Sequence, residues 1–166
     1  MNNLLMKQVG LLFLLSAGSL SSAMAMSSSD FVEEAAQAGI NEIESSKLAL
    51  EKSASADVKA FATQMISDHS KANQELRVLA KKLDIQIPDE ASLTAKAKQM
   101  ILEMRDESFD KAYADNQVVA HEKAVELFKK EVASSDKPDL KAFAEETLPK
   151  LQDHLDMARH LQSKTK

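Results

Sequence analysis

The chain has 166 residues, and its 26 acidic and 21 basic side chains give a formal net charge of −5 at neutral pH. An acidic chain is a poor nucleic-acid binder, because such binding depends on cationic contacts to phosphate. The sequence contains no cysteine, which excludes disulfides, thiolate chemistry and a lipid-anchored lipoprotein. Without the leader described next, about 140 residues remain, enough for one domain with a buried core.

The first 25 residues have the organisation of a cleaved signal peptide. Lys7 supplies the positive charge, residues 9–15 form an apolar run, and Ala23-Met24-Ala25 fits an A-x-A cleavage site. The apolar run is shorter than the ~20 residues of a membrane-spanning helix, although an uncleaved anchor is the alternative. We predict an exported protein, periplasmic or secreted, whose mature chain begins near Met26 and has no transmembrane span. Loss of Lys7 makes its net charge −6.

Residues 26–166 are predicted to form a single all-α domain. Gly39 is the only glycine after residue 25, and the strong helix formers Ala, Leu, Glu, Lys and Met dominate. Helices are predicted at about 30–53, 56–83, 92–105, 109–133 and 138–163. Asp30 and Glu33 have capping-box spacing at the first helix. Pro149 predicts a kink in the last one, because it removes an amide donor.

The four long helices are predicted to pair as two hairpins, at about 30–83 and 108–163. Short loops make antiparallel neighbours, and the connection at about 84–107 is long enough to cross the bundle. This organisation predicts a ferritin-like four-helix bundle with one crossover that contains a short extra helix. A repeated phrase supports two equivalent units, because 57–62 (DVKAFA) returns at 139–144 (DLKAFA), each followed by an Asp-His pair.

Each long helix carries one titratable side chain on its predicted inward stripe, where steps of three and four residues keep one face toward the core. These four side chains are Glu42, His69, His121 and His154. Counting outward from the repeat places Glu42 and His69 at similar heights in one hairpin, and His121 and His154 in the other. The relative slide of the two hairpins is left open, because the crossover sets it.

Three imidazoles and a carboxylate suit zinc, copper, iron or nickel. We therefore predict a single transition-metal ion, and the predicted ligands are Glu42, His69, His121 and His154. The alternative is a structural polar cluster without a metal, because buried polar groups commonly pair with one another. A ferritin di-iron site is not expected, because Ile66 and Leu151 stand where the Glu-x-x-His motif requires glutamate.

Other side chains near the histidines have two interpretations each. The acids beside them in sequence are Asp68, Glu122 and Asp153. They lie about 100° around their helices, so they either hydrogen-bond to ligands or are solvated surface acids. Met65 and Met157 either complete a copper site or fill the core. His160 lies off the stripe and is predicted to be solvated.

Several segments resemble one bacterial family of exported proteins. Residues 31–49 (FVEEAAQAGINEIESSKLA) resemble its opening, and 68–73 (DHSKAN) and 148–155 (LPKLQDHL) resemble later blocks. Phe109-Asp110 and the region of Ala120-His121 match as well. The family is domain of unknown function 4142, whose members are often labelled predicted outer-membrane proteins. The resemblance covers nearly all of the mature chain and implies a ferritin-like fold, but no activity.

The sequence thus favours two classes of function and leaves open whether the protein is an enzyme. The first is a metal-binding or metal-dependent envelope protein with a role in envelope stress. The second is a non-enzymatic structural or interaction module of the envelope, whose core His/Glu cluster is only a polar network. A hydrolase is a weaker third class, because no Gly-x-Ser-x-Gly motif occurs. No nucleic acid is expected as a partner, and neither a protein partner nor an oligomeric state is specified.

Overall fold

The computed structural model describes residues 26–101 and 109–165, and within these ranges the chain forms five α-helices and no β-strand. The helices are α1 (Ser28–Lys52), α2 (Ala56–Lys82), α3 (Glu90–Ile101), α4 (Phe109–Ser134) and α5 (Pro138–Lys164). The prediction of an all-α protein is confirmed. The predicted signal peptide and the end predicted for α3, near residue 105, lie outside the described residues.

α1 begins at a serine cap, three residues before the predicted acid. The Ser27 hydroxyl accepts a hydrogen bond from the Asp30 amide at 3.1 Å, which makes Ser27 the N-cap. Asp30 lies in the first turn, where its charge interacts favourably with the helix dipole. The predicted capping box at Asp30 and Glu33 is therefore wrong. At the other end of the chain, Pro149 lies inside α5 as predicted.

The four long helices pack in a ring in which α1 and α5 each contact both α2 and α4. The Lys82 ammonium at the end of α2 lies 2.8 Å from the Asp139 carboxylate at the start of α5. The Phe31 ring, near the start of α1, lies 5.1 Å from the Phe128 ring, near the end of α4. Neighbouring helices in the ring are therefore antiparallel, both within and between the hairpins.

The connection between the hairpins runs from one end of the ring to the other. α2 ends beside the start of α5, whereas α4 starts beside the end of α1, where the Lys52 ammonium lies 5.8 Å from the centre of the Phe109 ring. The short helix α3 belongs to this connection and packs against α1. Leu93 and Ala97 of α3 are buried, and the Leu93 carbonyl accepts a hydrogen bond of 3.0 Å from Gln37.

The predicted steps of three and four residues match most of the core, with exceptions such as Ala124 on α4, which is only partly buried. In the second half of α2 the same steps lead from His69 to Ala72 and Leu79, which are partly buried, whereas the neighbouring Asn73 and Ala80 are buried. A straight helix drifts about 20° per heptad away from a strict seven-residue repeat. At these two places the core therefore meets the position one residue further along the chain, although Leu76 between them is buried as the steps predict.

Candidate metal centre

Three of the four predicted site residues meet in the middle of the ring. His69 on α2, His121 on α4 and His154 on α5 each place one ring nitrogen within 4.8 Å of the corresponding nitrogens of the other two. Their ring centres are 5.4–5.5 Å apart. The side chains are buried, at 8%, 1% and 3% exposure respectively. We call these three residues the histidine cluster.

The spacing of the histidine cluster is close to that of a metal site. Three atoms within 4.8 Å of one another all lie within about 2.8 Å of a common point, compared with zinc–imidazole bonds of about 2.0–2.1 Å. Binding an ion thus requires an inward movement of less than about 1 Å per ring, which small side-chain rotations supply. The cluster can hold a metal ion.

One nitrogen of each ring in the cluster is buried without a hydrogen-bond partner in the described part of the chain. These atoms are Nε2 of His69, Nε2 of His121 and Nδ1 of His154. A buried polar atom that lacks a partner typically costs 1–3 kcal/mol, so three of them at one place are expensive unless something binds there. A metal ion would use all three.

Hydrogen bonds outside the cluster fix two of the three tautomers. Nδ1 of His121 lies 2.9 Å from the Gln117 carbonyl oxygen, and Nε2 of His154 lies 3.0 Å from the Asp68 carboxylate. Each nitrogen must donate to an oxygen that only accepts, so it carries the ring proton. The lone pairs are then on Nε2 of His121 and Nδ1 of His154, the two atoms without partners. This is how metal-binding histidines are commonly oriented in proteins.

Burial keeps the cluster neutral. It lowers the pKa of His69 well below its usual value, and the neighbouring His121 and His154 lower it further. Burial also lowers the pKa of His121 to about 4, against the raising effect of the Gln117 carbonyl. The pKa of His154 is lowered by burial and partly restored by Asp68. At neutral pH all three rings are therefore uncharged, the form that binds metals.

Glu42, the fourth predicted ligand, is buried on α1 but is not one of the residues whose ligand atoms converge. Burial raises its pKa to about 7, and a hydrogen bond with the Gln117 side chain opposes this. Its Oε2 has no hydrogen-bond partner among the residues described. The Gln117 side chain donates to the Ser45 hydroxyl at 3.4 Å, and its carbonyl accepts from His121. The role of Glu42 as a ligand stays a prediction.

Two clefts flank the histidine cluster. The larger, of about 960 Å³, is lined by Glu42, His69 and His121 together with residues of all five helices, and we call it the α1-side cleft. The smaller, of about 190 Å³, lies between α2 and α5 and is lined by His69, His154 and Asp68. His69 borders both clefts, so the cluster can be approached from two sides.

The α1-side cleft includes a close contact between Gly39 and Asn73. A Cβ atom on Gly39 would lie 2.7 Å from Cγ and 2.8 Å from Nδ2 of Asn73. The Asn73 amide occupies that space and donates to the Ala36 carbonyl at 3.3 Å. The lone glycine of the helical region is thus needed for close packing of α1 on α2, one turn after His69.

The acids beside the histidines divide between the two interpretations. Asp68 hydrogen-bonds to His154 on the neighbouring helix. Glu122 pairs with Arg159 at 3.0 Å on the surface, and Asp153 and His160 are exposed. Sequence reasoning missed Asn73, and the drift of α2 away from a heptad repeat was the signal that could have found it.

These features define an all-helical protein whose buried three-histidine cluster can hold a metal ion. Residues 15–161 match the sequence model of the family Domain of unknown function (DUF4142), so the chain belongs to this family, as its sequence blocks indicated. No curated protein and no solved structure matches the chain significantly. Within 26–101 and 109–165, no helix has both the length and the apolar character needed to cross a membrane.

Proposed function

We propose that this protein binds one transition-metal ion through His69, His121 and His154. The observation that supports the proposal most directly is the convergence of one nitrogen from each of three buried, uncharged imidazoles. Each ring also has a buried nitrogen that lacks a hydrogen-bond partner among the described residues. Zinc, copper, iron and nickel all accept such a donor set.

The competing interpretation, a polar network without metal, explains the cluster less well. In a network the facing nitrogens would donate to and accept from one another, as buried polar groups normally do. Here the two ring protons that can be assigned are donated away from the cluster, to Gln117 and Asp68. The lone pairs that remain repel one another unless a cation or a proton lies between them.

We further propose that residues 26–166 form a ferritin-like domain that is exported to the periplasm. The antiparallel ring and the connection along its length support this topology, and the leader pattern in residues 1–25 supports export. The ferritin di-iron chemistry is not proposed, because neither Glu-x-x-His motif is present. N-terminal sequencing of the protein recovered from a periplasmic extract tests the export proposal, with a mature end near Met26 as the expected result.

The metal proposal is tested on the untagged full-length chain, purified without chelators. Bound metals are measured by elemental analysis, and zinc affinity by competition with a chromophoric chelator. Wild type and His160→Ala should bind zinc at close to one ion per chain, whereas His69→Ala and His154→Ala should lose most of this binding. His160→Ala is the matched control, because it removes an exposed imidazole from the same helix as His154.

Folding of the variants is checked by helical circular dichroism, because a missing imidazole leaves a cavity. The proposal is wrong if wild type neither contains nor binds any of the four metals, or if His160→Ala loses as much affinity as the cluster variants.

A further inference from the structure

The histidine cluster draws its side chains from three of the four long helices. Its ligands come from α2, α4 and α5, and α1 contributes no converging ligand atom. A tetrahedral ion with three protein ligands keeps one position for water or another molecule. With the ligands on three helices of a four-helix ring, that position faces α1, where the α1-side cleft reaches His69 and His121.

The cleft is large enough for more than a water molecule. Its volume of about 960 Å³ is within the range of clefts that bind small organic ligands, about 300–1,000 Å³. It extends from the cluster to exposed side chains such as Glu33, Glu34 and Lys123, so it opens to solvent. By contrast, the cleft between α2 and α5 has a volume of only about 190 Å³.

The polar atoms without partners that border the cleft are hydrogen-bond acceptors. Oε2 of Glu42 and Oε1 of Gln37 are buried and make no hydrogen bond within the described ranges, and both residues line the cleft. Gln37 already uses its amide nitrogen, which donates to Asn41 at 2.8 Å and to the Leu93 carbonyl at 3.0 Å. Glu42 is 5% exposed, so this residue is a buried part of the cleft lining. When Glu42 is ionised, a molecule that satisfies these atoms must bring N–H or O–H donors.

We propose that the α1-side cleft binds a small organic molecule that coordinates the cluster metal through one lone pair and donates an N–H or O–H hydrogen bond to Glu42. This inference rests on the proposed metal site and assigns its open position to an exogenous ligand. Glu42 then acts as the acceptor that selects the ligand. The ligand class is a nitrogen heterocycle, amide or hydroxamate that carries an N–H or O–H donor in addition to its metal-binding atom.

Cobalt(II) is a suitable probe, because its visible spectrum reports the ligands of a four-coordinate site. The full chain loaded with cobalt(II) is titrated with imidazole, 4-methylimidazole and 1-methylimidazole. All three present a metal-binding nitrogen, and the two methyl compounds have the same size. Only 1-methylimidazole lacks the N–H that would donate to Glu42.

At about pH 8, above the pKa of about 7 of Glu42, imidazole and 4-methylimidazole should change the cobalt spectrum at about 10-fold lower concentration than 1-methylimidazole, the ratio expected for one hydrogen bond. In Glu42→Leu this preference should disappear, while Glu44→Leu, which makes the same change on α1 outside the cleft lining, should keep it. The comparison of the three probes on wild type does not depend on whether the variants fold.

Different results would overturn the ligand proposal and the metal proposal. A cobalt spectrum that none of the three compounds changes, or that all three change equally, overturns the assignment of the cleft and leaves the metal site standing. A chain that takes up no cobalt and none of the other metals overturns both.

Discussion

Replacing Asp68 by asparagine should weaken metal binding by about 10- to 30-fold while leaving all three histidines in place. The Asp68 carboxylate accepts the Nε2 proton of His154 at 3.0 Å and so holds the ring with Nδ1 toward the cluster. A neutral amide accepts this hydrogen bond less strongly than a carboxylate, which makes the ring a weaker metal ligand. The amide also carries an N–H group that can donate to Nε2 and so favour the other tautomer of the ring.

The magnitude follows from the surroundings of the pair. Removing an outer carboxylate from a metal-binding histidine commonly costs 10–100-fold in affinity. The Asp68 side chain is 30% exposed, against 4% for His154, so solvent screens part of the interaction. We therefore expect the lower part of that range, equivalent to about 1.4–2 kcal/mol.

The sequence provides a matched control in Asp153→Asn. Asp153 is adjacent to His154 and carries the same charge, but it is exposed and acts on His154 only through its charge. Both variants are compared with wild type by competition against a chromophoric zinc chelator at neutral pH. The reasoning is refuted if Asp68→Asn stays within about threefold of wild type, or if Asp153→Asn loses as much, since exposed charges contribute little.

Three further predictions concern the stability of the metal-free protein, measured by chemical unfolding. Gly39→Ala should lower the free energy of unfolding by about 1–3 kcal/mol, because the new methyl group displaces Asn73 from its hydrogen bond to Ala36. Adding Asn73→Ala should remove most of the clash, so the double variant should lose less stability than the sum of the two single variants. Losses that simply add would contradict this. Protonation of His121, with its pKa of about 4 against 6.5 when unfolded, favours the unfolded chain. The stability of Glu42→Gln, in which the opposing titration of Glu42 is removed, should therefore fall by up to about 3 kcal/mol as pH falls through this window, and a flat profile of this variant would contradict it. Glu42 has the opposite effect, because its pKa of about 7 in the folded protein exceeds the ordinary value of 4.5. As pH rises from 4.5 to 7, wild type should therefore lose up to about 3 kcal/mol of stability relative to Glu42→Gln. Stability curves of the two proteins that stay parallel over this range would refute this.

The sequence predicted the helices and which residues face inward, because both depend on local properties. Helix-forming and turn residues predict α2 at about 56–83, and the observed helix spans Ala56–Lys82. Hydrophobic periodicity placed Glu42 and the three histidines inside, and all four are buried. The predictions that were wrong concern features for which neighbouring positions in the sequence compete. Ser27 rather than Asp30 caps α1, since the preceding hydroxyl already satisfies the first-turn amide.

The convergence of the histidines could not be predicted from the pattern alone. Counting from the repeat fixes heights within a hairpin, but contacts between hairpins, such as Phe31 with Phe128, set their relative slide. The role of Asp68 was hidden for a related reason. It lies about 100° from His69 around α2, which directs it toward α5, and its partner His154 belongs to the other hairpin.

The distribution of the histidines over both hairpins has a consequence for how the protein would acquire its metal. One ligand belongs to the first hairpin and two to the second, and 51 positions separate His69 from His121 in the sequence. Neither hairpin alone presents three ligands, so an ion meets a complete site only after the two halves have docked.

Metal uptake would then be a late event in an already assembled bundle, and it would take place wherever the chain completes folding. Imidazole sites bind several first-row metals with affinities that follow a fixed chemical order, in which copper exceeds zinc. The ion found in the protein would accordingly reflect which metals are supplied in the compartment of folding, and the same chain folded elsewhere would carry a different one.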